Sequence, residues 1–354
     1  MSTLSFYFVF VKLLLIQRKR IMTNLKLQSE NTGISRRAFL RRCASLTAGI
    51  AGVAFLPGCQ VCNITRKNHT DVTFFITGDT HYGRNQVKDN EALNKNVIDE
   101  MNSASAIFSY PKSLGGKKIN SPRAVLVVGD LTDYGLQKEW AGVEGKDGFG
   151  SDYGINGNCR LKYPVYEGFG NHDYELSGKG HYAKDQVKVR NKTRSGITNI
   201  SKNGFHYSWD WDNVHFINLN MYPGPQGGRW AEAEGSIDFL KEDLIAKVGK
   251  SNRPVVICHH FGLDERSCKW WEQEDRDIYY ETIKNYNVIG IFHGHTHDQK
   301  TYQWRGIDVY NVGAGVEGEW SAVNITDNEL IFASRNRKDW NVTARKSLEP
   351  IVAK

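Results

Sequence analysis

Hydrophobic and polar positions follow two distinct periods along this chain, and together they outline its architecture. Five short runs are apolar at nearly every position: residues 72–76, 124–128, 163–169, 254–258 and 288–292. Such runs read as strands buried on both faces. After the first, Leu93, Val97 and Met101 recur at helical spacing, and Ile237, Leu240, Leu244, Ile245 and Val248 form a second stripe that stops at Gly249. Phe205, Tyr207, Trp209 and Trp211 alternate on one face, Asp212-Asn213 supplies a turn, and residues 214–219 return as the second arm of a hairpin. Alternation at 301–304, 308–312, 321–325 and 330–333 predicts a closing set of antiparallel strands. Residues 146–158, rich in Gly, Asp, Asn and Ser, read as a surface insertion, and 336–354 as a polar peripheral tail.

The residues that terminate the apolar runs are more informative than the runs themselves. The runs end in Gly78-Asp79-Thr80-His81, Gly129-Asp130-Leu131-Thr132-Asp133, Gly170-Asn171-His172-Asp173, His259-His260 and His293-Gly294-His295-Thr296-His297. In open α/β sheets ligands gather at the carboxyl ends of strands, so the pattern assembles one site from distant segments. Glycine there lets the backbone turn sharply and approach a ligand. Carboxylate, amide and imidazole donors suit borderline divalent ions such as Mn, Fe, Zn or Co. In the last cluster three histidines alternate at period two, and the glycine before His295 favours His295 and His297 over His293. His260 and His293 stand beside these positions and read either as supporting partners or as packing. His69, His181, His206 and His215 lack such a context.

These five clusters, in this order across residues 72–335, resemble the calcineurin-like metallophosphoesterase superfamily. The resemblance implies a four-layer αββα sandwich of two mixed β-sheets with a dinuclear metal site at the strand ends. It implies that Asp79, His81 and His297 hold one divalent ion, that Asn171, His259 and His295 hold the other, and that Asp130 bridges them. A bridging carboxylate is needed because two dications so close repel strongly. Such a pair clamps a phosphoryl group and generates a bridging hydroxide as nucleophile. His172 then serves as general acid toward the leaving oxygen, with Asp173 orienting it. The reaction implied is hydrolysis of a small phosphodiester or phosphomonoester; a nuclease and a non-catalytic binding scaffold of the same fold are the alternatives.

Departures from the family's branches narrow the reading. Purple acid phosphatases carry a tyrosinate three residues after the second-cluster Asp, where this chain has Asp133. Ser/Thr protein phosphatases carry an arginine that grips phosphate where this chain has Tyr134. Without that clamp a diester is favoured over a monoester dianion. Trp270-Trp271, between the fourth and fifth clusters, read either as a lid over an organic moiety or as indoles buried under a loop. Arg190 and Arg194 read either as phosphate contacts or as a solvated basic face.

Charge at first suggests a different partner. The net charge is +7, but residues 1–58 contain nine Lys/Arg and one acid, so the remainder carries a net charge of −1. Global charge therefore does not point to nucleic acid. The basic segment itself is legible: Ser35-Arg36-Arg37-Ala38-Phe39-Leu40-Arg41 resembles a twin-arginine export signal, and an apolar run of 44–56 serves as its core. Leu56-Pro57-Gly58-Cys59 resembles a lipoprotein cleavage box, which implies membrane anchoring through lipid on Cys59. The expectation is a 1–58 signal region, a 59–71 linker, and export by the twin-arginine machinery to the periplasm or the membrane surface of a bacterial envelope. Translation from Met22 is expected, because such signals sit near the true start. Six cysteines show no disulfide framework; Cys258 reads as a small buried hydrophobe, and a Cys159–Cys268 bridge is open in an oxidising compartment.

Overall fold

A computed structural model describes residues 69–84, 90–142, 144–145, 147–174, 181–227 and 232–348. The chain divides into two units, Met1–Thr65 and Arg66–Lys354, and the first lies outside the described residues. So do the export signal, the start at Met22 and Cys59. Among the described residues no helix is long and apolar enough to cross a membrane.

The second unit is built on two mixed β-sheets. Strands β1 (Asp71–Thr77), β2 (Val125–Val128) and β3 (Val165–Gly168) run parallel in the first. Strands β4 (Ile197–Ile200), β5 (Tyr207–Trp211), β6 (Val214–Asn218), β7 (Val255–Cys258), β8 (Val288–His293), β9 (Gln299–Trp304) and β10 (Ile307–Val312) make the second, in the order β4-β5-β6-β7-β8-β10-β9. Strands β11 (Trp320–Thr326), β12 (Glu329–Arg335) and β13 (Trp340–Ser347) complete the first, in the order β13-β12-β11-β1-β2-β3. The predicted hairpin is β5–β6, with Asp212 in the left-handed region at its turn.

The completely apolar runs are explained by burial on both faces. On β1, Val72, Phe74 and Ile76 point between the sheets, where Phe74 meets Phe216 at 5.6 Å and Phe292 at 5.8 Å. Tyr310 and Phe332 meet across the same gap at 5.0 Å. The intervening Phe75 points outward and joins Val97, Ile98 and Met101 of the helix Asn90–Ile107. Helices Ser236–Asp243 and Gln273–Ile283 cover the outer face of the second sheet through Leu240 and Ile283. The order of layers is helix, sheet, sheet, helix, the αββα sandwich implied by the sequence.

Two segments differ from expectation. The tail assigned to 336–354 contains β13, which pairs with β12 from Arg335↔Trp340 to Glu329↔Ser347. The strand was illegible because its outward positions are polar and its inward ones only half-buried. The 146–158 insertion carries the short helix Phe149–Asp152, and its Phe149 and Tyr153 are fully buried, stacked at 4.9 Å. Arg190 and Arg194 are scaffold rather than phosphate contacts. Both face the buried Glu167 of β3, Arg194 at 2.6 Å and Arg190 at 3.5 Å, and Arg194 lies over Tyr166 and Tyr207. Cys159, Cys258 and Cys268 are free thiols, Cys258 buried as expected.

Candidate metal centre

The five clusters meet at the carboxyl ends of β1, β2, β3, β7 and β8. Main-chain bonds join their loops: Asp79 N donates to Gly129 O at 2.9 Å, His81 N to Asp130 O at 3.0 Å, and Gly294 N to His260 O at 3.2 Å. Asp79, His81, Asp130, His295 and His297 all have positive φ, between 41° and 71°. This conformation costs energy for residues with a Cβ and concentrates at functional sites. Glycine is required where loops touch. A Cβ on Gly170 would overlap the Asp130 carboxylate and amide, and one on Gly294 would overlap the Asp79 carboxylate.

Three groups of donors form there: two that hold Asp79 and Asp130, and a third, His81, Asp133 and His172, that shares His81 with the first. In the first, Asp79 Oδ1 lies 3.3 Å from His297 Nε2 and 4.0 Å from His81 Nε2, and the two imidazole nitrogens are 3.1 Å apart. In the second, His260 Nε2 lies 3.1 Å from both Asn171 Oδ1 and Asp130 Oδ2, and His295 completes the group. The same Asp130 Oδ2 stands 3.7 Å from His81 Nε2. One carboxylate oxygen therefore sits between the two groups, the placement a bridging ligand needs.

The charge pattern fits a cation. His260 Nδ1 donates to Val128 O at 2.9 Å, which leaves Nε2 facing only acceptors. This arrangement favours a positive charge there, as a proton on the imidazole or as a metal ion. Burial lowers the His260 pKa, but Asp130 outweighs it and pushes the group up to about 9. His297 behaves alike: burial opposes and Asp79 prevails, again reaching about 9. Conversely, burial would raise Asp130, yet His260, His172 and His81 hold it well below the usual carboxylate range. Carboxylate, amide and imidazole atoms converging at one place suit a divalent ion of the Mn, Fe, Zn or Co kind, which would take the place of the His260 and His297 protons.

One expected ligand is misplaced: His260, not His259, joins Asn171 and Asp130. His259 points to the opposite side of β7, its ring 5.6 Å from Tyr279 and 6.0 Å from Trp271, with Nδ1 donating to Phe261 O at 2.6 Å. Burial pushes its pKa down to about 3. Strand parity carries the signal that separates them. Ile257 faces the helices and Cys258 faces between the sheets, so the alternation continues with His259 outward and His260 inward. His293 is likewise outside the centre, with Nε2 and the Tyr302 hydroxyl 2.8 Å apart.

Asp173 also acts differently from expectation. Its buried carboxylate accepts from the amides of Gly170, Leu131 and Thr132 and from the Thr132 hydroxyl, at 2.8–3.0 Å. It ties the second and third loops together. Among the described residues, the group that holds the His172 ring is Asp133, whose carbonyl accepts from Nδ1 at 2.8 Å. The Asp133 carboxylate lies 3.2 Å from His81 Nδ1 and 3.7 Å from His172 Nδ1. Sequence reasoning noted Asp133 only as a missing tyrosine; its spacing of three after Asp130 was the available signal. His172 itself stands at the rim, its side chain 36% exposed and its ring 4.6 Å from His81. Burial lowers its pKa, and Asp130 and the Asp133 carbonyl raise it above the ordinary imidazole value. Glu317, 3.4 Å from His297 Nδ1, is a further carboxylate behind a ligand.

The family model for calcineurin-like phosphoesterases matches residues 72–299. No curated protein matches the sequence. Among solved structures, a dimetal phosphatase from Danio rerio is similar at 13% identity and TM-score 0.48, over 77% of this chain and 98% of that one. The inner-membrane-complex anchor of Plasmodium is similar at 10% identity and TM-score 0.48, over 80% and 90%. A 5'-nucleotidase-like protein of Staphylococcus aureus matches at 13% identity and TM-score 0.41, over 80% of this chain and 55% of its own. With the family model spanning all five clusters, the chain belongs to the calcineurin-like phosphoesterase family.

Proposed function

We propose that the protein is an exported phosphoesterase that hydrolyses a small phosphodiester with two divalent ions. The observation that carries this reading is Asp130 Oδ2, placed between His81 and His260 so that one carboxylate serves both donor groups. Asp79, His81 and His297 would hold one ion, Asn171, His260 and His295 the other, and Asp130 both. When bound, such ions withdraw charge from a phosphoryl group and acidify water. The chain's own contribution is positional. Asp133 holds His172 by Nδ1, which leaves Nε2 to carry a proton to the departing oxygen. Asp173 fixes the loops that bear Asp130 and His172.

Diester preference rests on Tyr134 in place of a phosphate-gripping arginine and on the commitment of Arg190 and Arg194 to Glu167. The test is hydrolysis of bis-p-nitrophenyl phosphate against p-nitrophenyl phosphate with Mn, Fe, Zn and Co supplied in turn. We expect the diester to be the better substrate by kcat/KM. A large monoester preference overturns the diester half, and no turnover of either with bound metals overturns the enzyme. Export rests on the Arg36-Arg37 signal and lipid anchoring on Cys59; protein found only in the cytoplasm contradicts export, and an intact mass that begins upstream of Cys59 contradicts the anchor.

A further inference from the structure

The paired indoles between the fourth and fifth clusters have separate fates. Trp271 is buried, with Nε1 donating to Gly262 O at 3.0 Å. Trp270 is 39% exposed and makes a T-shaped contact with the ring of His295, centroids 5.2 Å apart at 89°. His295 also meets Phe261 in a tilted contact at 4.5 Å, and Phe261 lies 6.3 Å from Trp270. A partly exposed indole thus stands in contact with a residue of the metal centre.

The segment that carries it is braced. Asp264 accepts from the amides of Arg266 and Ser267 at 3.0 and 3.1 Å. Cys268 N donates to Asp264 O, Trp270 N to Ser267 O, and Arg276 reaches the carbonyls of Cys268 and Trp271. A preorganised aromatic surface binds without the cost of ordering a loop. The neighbouring cation Arg266 contacts Thr296 O at 3.3 Å and Asp298 at 3.6 Å.

The two ends of the centre are distinct. His172, the acid for the departing oxygen, lies against His81 in the first donor group; Trp270 lies against His295 in the second. We infer that Trp270 is a specificity residue, an aromatic platform for a planar aryl or heteroaryl group on the part of the phosphodiester that does not depart. This rests on the phosphoesterase reading above.

Two substrates that share a leaving group isolate it: p-nitrophenyl phenyl phosphate and methyl p-nitrophenyl phosphate, with Mn-loaded protein. The wild type should favour the phenyl ester by about ten-fold in kcat/KM, through KM, as aromatic stacking predicts. Trp270→Ala should bring that ratio close to about one, and Trp270→Phe should retain most of it. A ratio that stays within about two-fold of wild type in Trp270→Ala overturns the inference. Calorimetry with phenylphosphonate and methylphosphonate reads the same preference without turnover. If neither ester is hydrolysed but phenylphosphonate binds more tightly in a Trp270-dependent way, the enzyme reading falls and the platform stands. Equal affinity for the two phosphonates removes the platform.

Discussion

His172 is held by one bond through its main chain and one through its ring. Its amide donates to Asp130 Oδ1 at 2.9 Å, and its Nδ1 donates to Asp133 O. The first survives any side-chain change. His172→Ala should therefore keep its full metal content, measured by plasma emission, while turnover falls by about 10²–10⁴. Alkyl leaving groups, which need the proton, should suffer more than p-nitrophenolate; a lost metal would place His172 among the ligands instead. At this scale most of the centre was legible, because Gly-Asp, Gly-Asn and Gly-His at apolar run ends mark where a backbone must approach its neighbour. The sequence points to His259 where the structure places His260, since adjacent histidines differ only in the face they point to, and that depends on the parity of β7. The orienting role falls to Asp133 rather than to Asp173 for a similar reason: a contact through a main-chain carbonyl leaves no mark in residue type.

At the scale of elements, the β5–β6 hairpin contains a charge clamp with no part in the centre. His215 of β6 is fully buried between Asp210 at 2.7 Å and Asp243 at 2.8 Å, and Arg253 lies 2.9 Å from the same Asp210 oxygen. Asp243 also accepts from Ser208 Oγ and Asn199 Nδ2. Burial lowers the His215 pKa, but the bonds to Asp210 and Asp243 outweigh it and raise the group above 6.5. A histidine raised on folding stabilises the fold fully below its unfolded pKa and loses that contribution as pH rises through the folded value. The difference in urea midpoint between wild type and His215→Gln should thus be largest near about pH 6 and shrink toward about pH 9. A difference that grows with pH contradicts the clamp. Asp210, whose pKa is lowered, contributes in another window, lost only as pH falls below the carboxylate range. The strands of this region and the parallel core were legible as apolar or alternating runs. Strand β13 was not, because its half-buried Trp340, Val342 and Ala344 gain their place by pairing with β12, a tertiary effect that local pattern does not contain.

For the whole molecule, the sandwich brings the ligands from both sheets to one edge. Asp79, His81, Asp130 and Asn171 follow strands of the first sheet; His260, His295 and His297 follow strands of the second. Ions bound there would clasp the two sheets, so metal should raise the unfolding temperature in a concentration-dependent way. The order of strands was beyond the sequence: β1 pairs with β11, some 250 residues later, and nothing local announces that partner. The central claim is that Asp130 joins two metal positions and that His260 belongs to the second. Anomalous diffraction from crystals of the Mn-loaded protein tests it most directly. The account predicts two peaks, one among Asp79, His81 and His297 and one among Asn171, His260 and His295, both within bonding distance of Asp130. A single peak, or a second peak at His259, would contradict it.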